Sequence, residues 1–372
     1  MSTVTPSFWH NNRSFRKRLP MSKMVAHSYC IMVLFLILNC HAGNTANVSD
    51  IRDECNTVEK YVAVVLFSLL LLYSIVSNVL LIFEFCRRDH LYNHSFVLIT
   101  SQLIVCNLLI SLLQILFILP EILQSKDSSG ASNRASTVSI FSHMDTFLFT
   151  ATLQFAFLLS ISRFVTINLP KFHAIFESKK LIFLLCGVWL LAFAITAADF
   201  YYCTAKYCIS DLRWYRNCTE DAKEGGQFFN KFYHFWTAFL PIAMFVVYIA
   251  IFCGIRHKRN FSLHNHNKRM STRVEIKATK ISSYEWSTLI QAALTCSFME
   301  IEIVIFNFLP AFAVKLFGEK ANISSRIFVN CCIILNCTIL PTIHFICNKQ
   351  ARNVLKQKCL FLKTKKYLST TS

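Results

Sequence analysis

Asp145, Arg163, Glu300 and Glu302 are among the ionisable side chains that stand inside otherwise apolar stretches of this 372-residue chain. A charge in hydrocarbon is costly, so such groups pair with one another, bind something, or reach for water. Asp145 precedes Arg163 by 18 residues, five turns of helix and about 27 Å, so both side chains leave one helix face. At about 100° per residue, Glu302 falls in a narrow stripe with Ser287, Gln291 and Thr295, whereas Glu300 points nearly opposite, with Asn307. The polar stripe should face other helices, which makes Glu302 the better candidate to line a cavity. Glu300 then needs a partner from a neighbouring helix or stays protonated. Asp145, Glu302 and Phe149 are the candidate binding residues. Plainer readings stand beside these: Asp145 as an interfacial acid wetted by loops, the glutamates as neutral interhelical hydrogen-bonders, Arg163 as a cation snorkelling to water.

Seven apolar stretches, about 61–85, 95–120, 139–163, 181–200, 230–254, 286–312 and 326–347, carry these residues. Each is long enough as a helix to cross a hydrocarbon core of about 30 Å, so the chain reads as an all-α membrane protein, a seven-transmembrane helix bundle. The composition agrees: 54% hydrophobic, 16% charged, with 7 Gly and 7 Pro. The net charge of +18 is concentrated in alternate loops rather than in a nucleic-acid-binding patch. Arg87, Arg88, Lys171, Lys179, Lys180, the basic loop 255–284 and the tail after residue 348 share one side. The positive-inside rule puts that side, and the C-terminus, in the cytoplasm and the N-terminus outside. Asn47, Asn217 and Asn322 begin glycosylation triplets on the outer side; those at Asn93, Asn260 and Asn336 read as chance.

The apolar run Cys30–Asn39 is too short to span; it follows a basic segment and precedes Cys40-His41-Ala42-Gly43. That layout predicts a signal peptide over 1–42, with Met21 or Met24 as alternative starts and an uncleaved anchor as the other reading. Residues 43–60 are then an extracellular segment, 61–348 the membrane domain, and 349–372 a cytoplasmic amphipathic helix and tail able to lie on inner-leaflet lipid, with Cys359 a palmitoylation candidate. Of 16 cysteines, Cys55, Cys203, Cys208 and Cys218 should meet the oxidising exterior, and three pairings are open to them. His257, His264 and His266 lack metal spacing with any cysteine. No phosphate loop, zinc-protease motif, nucleophile elbow or internal repeat is present, so neither an enzyme nor a cofactor is indicated.

Ser162-Arg163-Phe164-Val165-Thr166-Ile167-Asn168-Leu169-Pro170 resembles the Asp/Glu-Arg-Tyr region and following proline of rhodopsin-like G-protein-coupled receptors. Asn78 resembles their first-helix asparagine, Asn107 stands where they usually have aspartate, Trp189 resembles the fourth-helix tryptophan and Pro241 the fifth-helix proline. Leu340-Pro341-Thr342-Ile343-His344 looks like a degraded Asn-Pro-x-x-Tyr. Within that superfamily, Ile161 to Phe176 and Ser95 to Gln102 are similar to nematode serpentine chemoreceptors, class X-like. The chain departs from the wider pattern at Ser162, which replaces the acid, at the outer end of the third span, which lacks the usual cysteine, and in the sixth span, which lacks Cys-Trp-x-Pro.

The resemblance implies a plasma-membrane receptor, in sensory-neuron cilia, for a small olfactory chemical bound in the outer half. It implies activation of a heterotrimeric G protein through Arg163, Phe164 and Pro170. Asn78, Asn107, Glu300 and Pro341 read as interhelical polar positions, the asparagines able to hydrogen-bond between helices. In that family the depth of Asp145 lines the ligand cavity, where a carboxylate often pairs with an amine. A transporter or channel using Asp145, Glu300 and Glu302 is the competing class, and a receptor that traffics without signalling is a third.

Overall fold

The structure, a computed structural model, describes residues 51–87, 94–123, 131–176, 178–208, 212–218, 225–268, 283–318 and 321–348. The expected leader, Asn47, the tail and Cys359 lie outside the described residues, as do the side chains of Cys55 and Cys208. Seven helices are long and apolar enough to cross a membrane. They are α1 Ile51–Arg87, α2 His94–Leu113, α3 Ala131–Asn168, α4 Ser178–Tyr202, α5 Gly226–Lys268, α6 Ser283–Phe317 and α7 Ala321–Cys347. A π-helical segment, Gln114–Ile118, prolongs α2 into Leu119–Leu123. That wide turn precedes Pro120, whose ring would collide with the Leu116 carbonyl in a regular helix.

The bundle is turned inside out relative to a water-soluble one. Phe183, Phe228, Leu190 and Phe308 are among the exposed side chains, while Ser74, Asn78, Asn107, Ser111 and Gln291 are buried. Lipid receives the apolar faces, and polar groups find one another between helices. α3 and α7 form the centre: 78% of each span is buried, against 22% for α4. α3 packs on α2, α4 and α5, and α7 on α1 and α6.

Several helices outrun their apolar stretches. α1 begins nine residues before Lys60, α5 continues into the expected basic loop as far as Lys268, and α7 begins at Ala321. Hydropathy marks where hydrocarbon is, whereas a backbone hydrogen-bond ladder, once formed, continues into water until its groups find other partners. α6 stops at Gly318, φ 80°, whose N–H bonds the Val314 carbonyl. That left-handed cap suits glycine and turns the chain into α7.

Between α4 and α5 lies an antiparallel hairpin, β1 Thr204–Cys208 and β2 Arg213–Asn217, with Thr204 opposite Asn217 and Cys208 opposite Arg213. A Cys203–Cys218 disulfide closes its base. We call this the outer end, following the loop charges.

Candidate functional site

α7 carries a bend residue that organises the core. Pro341 has no N–H, so the Cys337 carbonyl, four residues earlier, lacks its helical donor. Asn78 Nδ2 of α1 reaches that oxygen at 2.9 Å and Asn107 Nδ2 of α2 at 3.3 Å. Ser74 and Ser111 meet beside them at 2.9 Å, and Tyr73 meets Thr342 at 2.8 Å. Three helices are therefore joined around one released carbonyl.

Further out, α3, α5, α6 and α7 converge on two carboxylates. Asn336 of α7 donates to Glu302 of α6. Asp145 of α3 lies within electrostatic range of Glu302, of Cys337 and of Tyr233 on α5. Asp145 and Glu302 are surrounded by protein atoms and keep part of their surface accessible. Phe149, one turn further along α3, is also half-buried. Among the described residues, no hydrogen bond or ion pair engages Asp145. Glu300 gains no interhelical partner among them either; Cys296, on its own helix, feels its charge. Asn307 is exposed and donates to Ile303 of its own helix.

A second polar group, which sequence reasoning missed, lies at the outer end. Asp199 of α4 is 1% exposed. His143 Nδ1 of α3 approaches it at 3.1 Å and Arg216 Nε of β2 at 2.9 Å. The Arg216 contact is an ion pair by distance without hydrogen-bond alignment. The guanidinium lies over the Tyr233 ring, 4.0 Å from its centroid, which adds a cation–π attraction. Asp199 is an acid inside an apolar stretch, so the reasoning applied to Asp145 would have flagged it.

At the inner end, Arg163 is buried with its guanidinium over Phe96 of α2, 4.3 Å from the ring centroid. Its charge also acts on Tyr248 of α5, whose hydroxyl meets Cys296 of α6 at 3.8 Å. His344 of α7 touches Phe85 edge-on and faces Gln291 of α6 at 3.3 Å. Phe164 is half-buried, and Pro170 is exposed at the start of the 3-10 turn Pro170–Phe176. That turn is tied back to α2 by Ser95 Oγ donating to Phe176 at 2.6 Å. Asn168 crosses to α5, donating to the Ala250 carbonyl at 3.1 Å and filling the space above Gly254, where a Cβ would overlap it. Trp189 of α4 donates to Gln102 of α2 at 3.0 Å.

The arrangement offers carboxylates to a cation and, among the described residues, shows no nucleophile hydrogen-bonded to a base. Among the described residues no cluster of three or more His, Cys, Asp or Glu could hold a metal. Seven helices of membrane-crossing length and apolarity, with polar side chains buried between them, define a multi-pass membrane protein of the G-protein-coupled receptor type. Residues 72–334, well over half the chain, match the serpentine type 7TM GPCR chemoreceptor Srx family, and the chain belongs to that family. No curated protein matches it.

Proposed function

We propose that this receptor sits in the plasma membrane of sensory cilia, holds a small cationic chemical against Asp145, and activates a heterotrimeric G protein through Arg163 at the inner end. Asp145 carries the reading: a half-buried carboxylate on α3, near Glu302, with no cation bonded to it among the described residues. Binding there would favour one arrangement of α3, α5, α6 and α7 over another, which is how a ligand shifts a conformational equilibrium. In this reading Phe149 faces the ligand, and Phe164 and Pro170 flank the G-protein surface. Glycans on Asn47, Asn217 and Asn322, palmitate on Cys359 and a cytoplasmic tail on inner-leaflet lipid belong to the same reading. The Cys203–Cys218 bond supports the orientation, because thiols pair on the oxidising side of a membrane.

The test screens amines on cells expressing the receptor with a G protein. A charged hydrogen bond contributes about 1.5–3 kcal/mol, so Asp145→Asn should weaken a cationic agonist roughly tenfold to a hundredfold and spare a neutral isostere. Glu302→Gln should do less, because Asn336 already engages that carboxylate. Arg163→Ala, at matched surface level, should keep ligand binding and lose most nucleotide exchange. Unchanged potency at Asp145→Asn would move the binding charge elsewhere, with Glu302 next to test. Ion-coupled flux into vesicles containing this protein alone would overturn the receptor mechanism.

A further inference from the structure

α6 carries two polar side chains at mid-membrane that the bundle leaves unused. Residue 303 halves the membrane-crossing stretch Leu289–Phe317, so Glu300 and Asn307 lie about 5 Å and about 6 Å to either side of its centre. Half a hydrocarbon core is about 15 Å, so neither side chain is long enough to reach water. Glu300 is half-buried, and among the described residues no hydrogen bond or ion pair engages it. It stands on the α5 side of α6, one turn beyond Cys296, which meets Tyr248 of α5. Asn307 is exposed, and its amide turns back to the Ile303 carbonyl of its own helix at 2.7 Å. That bond uses one N–H and leaves the side-chain oxygen with nothing donating to it among the described residues.

The two residues belong to one seam. Ser297, Glu300, Val304, Asn307 and Ala311 follow one another three and four residues apart by turns, the spacing by which parallel helices crossing at about 20° interlock. All but Glu300 are exposed, and the larger Ile301 and Phe308 stand exposed beside them. Small side chains on such a seam let backbones approach, and polar ones hydrogen-bond across it. Lipid tails offer Glu300 and Asn307 no partner, whereas another protein can. A neutral carboxyl group and an asparagine amide each donate and accept, so each can pair with its own counterpart. A two-fold axis along the membrane normal sets residue 300 against residue 300 and residue 307 against residue 307 at equal depth. An unrelated partner would have to match both depths separately. We propose that α6 is the contact through which two copies of this receptor pair in the membrane, Glu300 and Asn307 each bonding to their counterparts. The pairing needs no ligand and does not rest on the function proposed above.

Full-length receptors bearing two different epitope tags are co-expressed, and disulfide formation is driven in isolated membranes with copper phenanthroline. Cross-linking is counted above that of the chain without an added cysteine. Val304→Cys, on the seam between the two polar residues, should give a dimer carrying both tags. Phe306→Cys, exposed at nearly the same depth but turned about 200° round the helix, should not. Counting bleaching steps of a fluorescent tag at matched surface densities gives the paired fraction. Glu300→Leu or Asn307→Leu should weaken pairing by about threefold to twentyfold, the contribution of one interhelical hydrogen bond. Glu300→Gln, which still donates and accepts, should keep it. Leucine suits hydrocarbon, so both leucine variants should reach the surface, and matched density separates lost pairing from lost receptor. Single bleaching steps at every density, equal cross-linking at the two cysteines, or no loss in either leucine variant would overturn the contact. So would a Val304→Cys adduct to a different protein in place of the two-tag dimer.

Discussion

Asn78→Ala removes the shorter of two hydrogen bonds to the Cys337 carbonyl, and its cost depends on what remains at that oxygen. With Asn107 in place, 3.3 Å away, the carbonyl keeps a donor, and the loss is one interhelical bond of about 0.6–1.7 kcal/mol. The Asn78→Ala/Asn107→Ala double variant strands a buried carbonyl that Pro341 has already deprived of its helical donor, which costs about 1–3 kcal/mol more. The double variant should therefore be destabilised beyond the sum of the singles by about 1 kcal/mol or more. Unfolding of the purified receptor in mixed micelles, titrated with denaturing detergent, gives the four free energies. Repeating the cycle in Pro341→Ala supplies the control, since residue 341 then offers its own N–H and the excess should vanish. Additive losses with Pro341 present, or an equal excess without it, would refute the shared-carbonyl argument.

Two further expectations concern the ends of the bundle. Gly254→Ala places a Cβ against the Asn168 side chain and should destabilise the receptor by about 1–3 kcal/mol in the same micelle assay, with Asn168→Ala recovering part of the loss. Cys203→Ser opens a loop of sequence separation 15, a closure worth about 3 kcal/mol in the chain-entropy model, and should lower both surface level and unfolding midpoint.

The seven spans were legible because hydrocarbon thickness imposes a length on apolar runs, and seven such helices are present. Helix ends were less legible: nothing in the hydropathy of residues 51–59 or 258–268 announces that the ladder continues through them. Angular reasoning separated Glu302 from Glu300, and the two do differ in surroundings, Glu302 meeting Asn336 while Glu300 has no bonded partner among the described residues. The sequence singled out Pro341 by its resemblance to a seventh-helix motif, but not that Asn78 and Asn107 would both come to the carbonyl this proline releases. That choice depends on the packing of α1 and α2 against α7. Asp199 and Arg216 are brought together by a hairpin register that neither residue signals alone. Four outer cysteines left three pairings, and only folding brings Cys203 and Cys218 to a Cα separation of 4.2 Å.

The close fit of Asn168 over Gly254 has a consequence for descent as well as for stability. One volume is divided between two helices, so neither position can drift alone: a larger residue at 254 demands a smaller one at 168. Across relatives each column should vary in identity while the two sizes move in opposition. A lineage that holds Gly254 unchanged should keep residue 168 no larger than about the size of asparagine, and one that loses the glycine should have shortened residue 168 first.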